Sequence, residues 1–383
     1  MNLNERFFRD VLQPHALGSF WNWIELLREN GRIEPKYYPR VLFVALSSAL
    51  TSPLRLYQHL VYRPRFEETN IIHPPIFILG HWRSGTTHLH NLMTRDKQLG
   101  YVSALQAMAP GSFFVIGKAF KSFLRHFTPE RRLMDNMEWS IDGPQEDEMG
   151  LANVSKYSLY HHWSFPRNAR NYFKRYVVFE GTPNEEMQRW QDEYVMLVRR
   201  ATYNMEGKQL VIKNPANTGR VRELLELFPD ARFVNIVRDP YRVFLSTRHL
   251  YNRVLKFTKL QEISAEEIDQ NILLFYREMM QKYIAEKEMI PSENFVEIKY
   301  EDLSQNPLGY LKNIYEHTRI SDFSRAEPGL RRYLRSIRNY RTNTYDISPE
   351  DIDKVNKHWA FAFEHWGYEM RESSPTNKSE PAE

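Results

Sequence analysis

The chain has 383 residues, 42% hydrophobic and 14% aromatic, enough for one large α/β domain or two domains with a sizeable core. Basic and acidic residues nearly balance, 52 against 48, and a net charge of +4 is too weak to point to a nucleic-acid partner. The absence of cysteine excludes disulfide frameworks and thiolate metal sites, and a mean hydropathy of −0.60 argues against a multi-span membrane protein.

In chain order, Met1 to Asp10 is polar and lacks the apolar core of a signal peptide. Residues 1–70 read mostly helical. Phe20, Trp21, Trp23, Ile24, Leu26 and Leu27 cluster in one stretch, and Val41 to Leu50 forms a second between Arg40 and Arg55. That run is far short of the ~20 apolar residues a membrane span needs. Two readings of this region stand: a helical layer packed on a sheet, or a membrane-surface or lipid-acceptor platform of short apolar helices with aromatic and basic flanks.

Ile76 to Leu79 reads as a short buried strand, and Leu89, Leu92 and Met93 fall at helical spacing after it. Between them Gly80 and Gly85 bracket four residues, the glycine spacing of a P-loop. A strand, a glycine loop and a helix N-terminus cradle anions through backbone N–H groups and the helix dipole. The lysine that grips nucleoside triphosphates would follow Gly85, but Thr86 stands there, and the loop's cation is Arg83.

Residues 100–205 read as a helical, aromatic-rich insertion. Within it Asp142-Gly143-Pro144-Gln145-Glu146-Asp147-Glu148 places three carboxylates after a Gly-Pro turn on the way into a helix. Further strands are expected at 209–213, 231–237 and 295–299, with a helical stretch over 218–228 and a long helix from Ala265 to Met289. Arg238 closes the third of these four strands, Asp239 is a helix N-cap, Pro240 fits the first helical position, and Ser246 follows Arg238 by two helical turns. This alternation predicts an α/β fold, a P-loop-like, mainly parallel sheet flanked by helices, with a helical N-terminal layer and a helical insertion. The expected division is residues 1–70, 71–370 and a disordered tail over 371–383.

Arg83-Ser84-Gly85-Thr86-Thr87, the pair Arg238 and Ser246, and the late strand with Tyr300-Glu301-Asp302 resemble the sulfotransferase superfamily that uses 3'-phosphoadenosine 5'-phosphosulfate (PAPS). The resemblance covers roughly residues 74–318 and is closer to divergent, largely bacterial members whose loop reads Gly-His-x-Arg-Ser-Gly-Thr-Thr, as Gly80 to Thr87 does here. It implies transfer of a sulfuryl group from PAPS, as co-substrate and without a metal, to a hydroxyl acceptor. Lipid and quinone-derived acceptors occur among such relatives. It implies that His81, Arg83, Ser84, Gly85, Thr86, Thr87 and His88 form the phosphosulfate loop, that Arg238 and Ser246 hold the 3'-phosphate, and that Tyr300 lies on or near the adenine. Lys213 would bridge the leaving oxygen. The expected setting is cytoplasmic, or peripheral on a membrane.

The chain departs from the familiar cytosolic members. Arg83 replaces a lysine, His88 a tryptophan, and Pro215 stands where those enzymes keep a catalytic histidine. No late Arg-Lys-Gly motif is found, and the arginines at 331, 332, 335, 338 and 341 read as a solvated helix face or a substitute for it. Sulfuryl transfer needs a base for the hydroxyl and cations near the bridging oxygen. A glutamate is ordinarily ionised at neutral pH, so Glu146 or Glu148 is the candidate base, with Glu146 preferred. The same carboxylates also suit a plain acidic helix N-terminus. His81 and His88 remain alternative bases. Two rival functions stand beside this reading: a P-loop kinase or NTPase, and a non-catalytic, membrane-associated nucleotide-binding protein.

Overall fold

The computed structural model describes residues 13–117, 121–122, 125, 139–338 and 343–373. Arg341, nearly all of the expected tail and the first twelve residues lie outside them. Five parallel strands form one sheet in the order β2-β3-β1-β4-β5. They are β1 Ile76–Leu79, β2 Leu99–Gly100, β3 Gln209–Lys213, β4 Arg232–Val237 and β5 Phe295–Lys299. Four of these match the strands expected from the sequence to within one residue. The two-residue edge strand β2 was not anticipated, because Leu99-Gly100 carries no pattern.

Strand β1 is buried on both faces, which is why it reads as an unbroken apolar run. Ile76 and Ile78 join Val211, Val234, Ile236 and Leu89 in one buried cluster. Phe77 joins Ile212, Leu210 and Phe233 in the other. The two-residue side-chain period of a strand thus separates two cores on opposite faces.

Helices α1 Phe20–Glu29, α2 Tyr38–Leu50 and α3 Ser52–Glu67 precede the sheet. Trp23, Leu26 and Val44 belong to the same buried cluster as Phe77 and Phe233, so this helical region shares a core with the sheet. Helix α4 Thr86–Met93 follows β1, and α5 Asp147–Val154 and α6 Asn184–Asn204 lie within the insertion. The stretch expected to be helical over 218–228 is divided. A 3-10 turn spans Pro215–Gly219 and α7 runs from Val221 to Leu227, because the turn is fixed by the Asn214 side chain accepting from Ala216 N at 3.0 Å. Helix α8 Pro240–Thr258 begins as expected on Asp239, whose carboxylate accepts from Arg242 N at 3.1 Å. Helix α9 runs from Ala265 to Glu286 on a capping box of Ser264 and Glu267, and a 3-10 turn finishes it at Met289. Helices α10 Tyr300–Gln305, α11 Pro307–His317, α12 Phe323–Ser336 and α13 Pro349–Trp366 complete the described chain.

Because all strands are parallel, the carboxyl ends of β1, β3, β4 and β5 open on one edge. Gly80, Lys213, Arg238 and Tyr300 stand at or just past those ends. Gly80 turns the chain off β1 with φ +134°, and a Cβ there would lie 2.4 Å from the carbonyl oxygen of Ile236. Gly80→Ala therefore combines an unfavourable backbone angle with a clash against β4. It is expected to lower unfolding free energy by at least ~2 kcal/mol, read as a fall in the urea midpoint at unchanged slope.

Candidate functional site

The loop after β1 is shaped by its two glycines. Gly80 N–H donates to the Thr218 hydroxyl at 2.8 Å, tying the loop to the turn beyond β3. Ser84 N–H closes a turn on His81 O at 3.1 Å. Arg83 takes φ +73° and Gly85 φ +105°. A Cβ on Gly85 would sit 2.3 Å from the Tyr300 ring, so that ring lies directly on the loop. Helix α4 starts at Thr86, and the first amides of any helix have no partner within it. Ser84 and Thr86 are buried, and Thr87 and His88 half-buried.

The second cation group converges on this loop. Arg83 Nε donates to Ser246 Oγ at 2.9 Å, and Arg238 Nη1 donates to the backbone oxygen of Arg83 at 3.2 Å. The Arg238 guanidinium stacks over the Tyr300 ring, 4.3 Å from its centroid, and the His88 ring meets Tyr300 edge-on at 6.3 Å. Ser246, two turns into α8, is joined to the loop through Arg83. Arg83, His88, Arg238, Ser246 and Tyr300 thus form one contiguous group.

The carboxylates of α5 separate into two environments. Glu146, at the N-cap of α5, forms an ion pair with Lys213 at the end of β3 and accepts from the Tyr160 hydroxyl. That hydroxyl also accepts from Trp82 Nε1 at 3.4 Å, so Tyr160 links Glu146 to the loop. Lys213 is buried, whereas the Glu146 side chain keeps 14% of its surface exposed. Glu148 is wholly buried. It pairs with Arg220 at 2.7 Å and accepts from Asn214 Nδ2 at 2.7 Å, Ser158 Oγ at 2.7 Å and Leu159 N at 2.9 Å. Burial opposes its charge, yet Arg220, Asn214 and Ser158 together hold its carboxyl below the ordinary glutamate range. A carboxylate so enclosed has no face left for a substrate proton. Between them Asp147 is also buried, and burial raises its carboxyl to about 7.

The histidines are embedded in the protein. His81 Nδ1 lies 2.8 Å from Trp82 O and its ring abuts Tyr276 at 5.0 Å. Burial pushes both His81 and His88 down to about 4. His161 and His162 sit against the carbonyls of Ser155 and Leu159, at 2.9 and 2.7 Å. The arginines at 331, 332, 335 and 338 are exposed on and just after α12, with Arg331 on Glu327. Among the described residues, no three His, Asp or Glu side chains gather in a metal-holding cluster.

Tyr160, Asn214, Thr218 and Arg220 were not expected. Tyr160 belongs to no spaced motif. Arg220 reads as one more helical arginine until the fold places it against Glu148.

A strand-end cradle of this kind, with cations on three neighbouring strand ends, can bind a doubly phosphorylated or phosphosulfated nucleotide. A sequence model of the sulfotransferase family matches residues 74–325. The chain belongs to the sulfotransferase family. It is a sulfotransferase, and the family implies a sulfonate donor. Two relatives, from Mycobacterium tuberculosis and Mycobacterium bovis, are both the omega-hydroxy-beta-dihydromenaquinone-9 sulfotransferase Stf3. Each is 33% identical over 371 residues, 96% of this chain and 95% of the relative. The fold is similar to the crystal structure of sulfotransferase STF9 from Mycobacterium avium, with a TM-score of 0.70 at 17% identity over 91% of each chain. It is also similar to STF1 from Mycobacterium tuberculosis, with a TM-score of 0.65 at 19% identity over 90% of this chain and 94% of that one.

Glu148→Gln removes the partner of a buried arginine and is expected to cost about 3–5 kcal/mol of stability. Glu146→Gln also removes an ion partner, that of Lys213, but at a carboxylate 14% exposed and with an amide oxygen left to accept, and is expected to cost less than Glu148→Gln. Thermal and denaturant melts of the two variants check this, and equal losses would contradict the division of roles.

Proposed function

We propose that this chain transfers a sulfuryl group from PAPS to the hydroxyl of a lipid-like acceptor, with Glu146 as the general base. The observation that carries the proposal is the Glu146–Lys213 pair, linked through Tyr160 and Trp82 to the Arg83 loop at the carboxyl edge of the sheet.

The residues fit the donor. Glycine backbone and the start of α4 suit the 5'-phosphosulfate, with Arg83 and the hydroxyls of Ser84, Thr86 and Thr87 adding donors. Arg238 and Ser246 suit the 3'-phosphate. Tyr300, already under a guanidinium, suits the adenine edge. His81 and His88 line the loop as neutral rings, since burial leaves them weak acceptors of protons. Thr86 in place of the P-loop lysine disfavours the kinase reading.

The transfer balances with these groups. The acceptor oxygen attacks sulfur in line and its proton passes to Glu146. A new S–O bond forms, and the S–O bond to the 5'-phosphate breaks. Lys213, at the pair's other end, stabilises charge growing on the departing phosphate oxygen. The products are a sulfate ester and 3'-phosphoadenosine 5'-phosphate. Glu148 is assigned a positioning role: its bonds to Arg220 and Asn214 fix α5 against β3, so that Glu146 meets Lys213. The lipid-like acceptor rests on Stf3, whose name specifies a hydroxylated dihydromenaquinone.

Glu146→Gln is expected to keep nucleotide affinity while lowering single-turnover transfer about 10²–10⁴-fold. Arg83→Ala and Lys213→Ala are each expected to lower turnover at least ~10²-fold. In calorimetry, Arg238→Ala is expected to erase most of a preference for 3'-phosphorylated over plain adenosine 5'-phosphate, worth roughly 1.5–3 kcal/mol. Parental rates in the Glu146 variant would remove it as the base. Equal parental affinity for the two nucleotides would remove the 3'-phosphate site.

A further inference from the structure

Helices α2 and α3 follow each other through Thr51 alone, and both carry exposed leucines. Leu42, Leu46 and Leu50 recur at one helical face of α2 and are 59%, 61% and 83% exposed. Leu56 and Leu60 repeat the spacing on α3, at 59% and 67%, and Trp21 on the adjoining α1 is 74% exposed. Single exposed leucines need no explanation, but five of them on two consecutive helices do. The inner faces are anchored normally: Val44 and Phe66 are buried, and Gln58 Nε2 donates to Pro110 O at 2.9 Å.

The charge around the face is one-sided. Between Lys36 and Glu67, Lys36, Arg40, Arg55, Arg63 and Arg65 stand against Glu67 alone. Arg40 donates to the carbonyls of Lys256 and Lys259, and Arg55 to the hydroxyls of Thr51 and Ser52. Lys36 pairs with Glu262 and Arg63 with Glu67, and the segment as a whole still keeps a basic surplus. A second copy of the same face would bring like charges together. Exposed leucines on a segment with a basic surplus instead complement the headgroup boundary of an anionic bilayer. No helix among the described residues is long and apolar enough to cross a membrane, which leaves contact in the plane of the interface.

We propose that the α2–α3 face docks the enzyme on anionic lipid bilayers and so presents the acceptor site to membrane-held substrate. The inference rests on the lipid-like acceptor of the preceding reading. Helix α3 also abuts the segment that leads to the base. Gln58 Oε1 accepts from Phe114 N at 2.9 Å, and Phe114 packs on the cluster of Leu105, Ala109, Phe113 and Ile141. Leu105 N and Ala104 N bond the carbonyls of Ile141 and Gly143, just ahead of Glu146.

The test is flotation of the full chain with vesicles of phosphatidylcholine alone or doped with phosphatidylglycerol, beside the Leu42→Ser/Leu46→Ser/Leu50→Ser/Leu60→Ser variant. The parent is expected to float with the anionic vesicles and to be released by high salt, and the variant to bind at least ~10-fold more weakly. The variant should keep parental turnover on a water-soluble alcohol and lose it on a vesicle-embedded hydroxylated lipid. Should four changes prevent folding, Leu50→Asp alone, at the most exposed position, is expected to weaken binding in the same direction. A parent that ignores anionic vesicles, or leucine variants that bind like it, overturns the proposal. So does a parent that sediments as a dimer and a variant that sediments as a monomer, which would make the face a subunit interface. Vesicle binding without any nucleotide-dependent transfer to either acceptor would instead defeat the catalytic reading and leave the docking face standing.

Discussion

The buried ion pair between Glu148 and Arg220 is the contact on which the arrangement of the site depends. Both side chains are fully buried, so neither charge is solvated by water. A pair in that position persists only when its remaining hydrogen-bonding capacity is filled, because desolvation rivals the mutual attraction. Here it is filled. Glu148 takes Ser158, Leu159 and Asn214, and Arg220 takes Asn217 and the carbonyl of Tyr176. Five separated pieces of chain meet at one knot: α5, the Ser158 turn, the end of β3, the Tyr176 segment and the start of α7.

One consequence is the placement of the outer carboxylate. Two residues apart at a helix start, side chains diverge in direction, so fixing Glu148 inward sends Glu146 toward Lys213. Lys213 is itself fixed by the register of β3, whose neighbour β1 launches the glycine loop. The parallel sheet brings the remaining groups to the same edge, with Arg238 from β4 and Tyr300 from just after β5. The packing is close enough that a β-carbon on Gly85 would strike Tyr300. The glycine loop, Lys213 and Arg238 therefore come from three neighbouring strand ends, and the Glu146 carboxylate from the start of α5.

Much of the frame was legible in the sequence because it rests on local signals. Ile76 to Leu79 is apolar throughout since both its faces are covered, and Asp239-Pro240 announces a helix start by its own chemistry. The Gly80–Gly85 spacing marks the loop for the same reason: only glycine fits where Ile236 and Tyr300 approach. What the sequence hid is non-local. The sequence leans toward Glu146 over Glu148 as the base, and the contact that separates them is non-local: Arg220, 72 positions away, pairs with Glu148. Tyr160 is an ordinary aromatic in an aromatic-rich insertion until its hydroxyl meets Glu146. The N-terminal leucines belong to helices whichever face they occupy, and only the fold shows Val44 covered while Leu42, Leu46 and Leu50 face outward.

The most direct measurement is a crystal structure of the chain with 3'-phosphoadenosine 5'-phosphate bound. The account predicts the 5'-phosphate on the Gly80–Thr87 loop, the 3'-phosphate on Arg238 and Ser246, and Lys213 turned from Glu146 toward the 5'-phosphate. Glu146 should then face the open side of that phosphate, free to take a proton. A nucleotide seated away from the loop, or a Glu146 carboxylate turned to bulk solvent with Lys213 not reaching the phosphate, would contradict it.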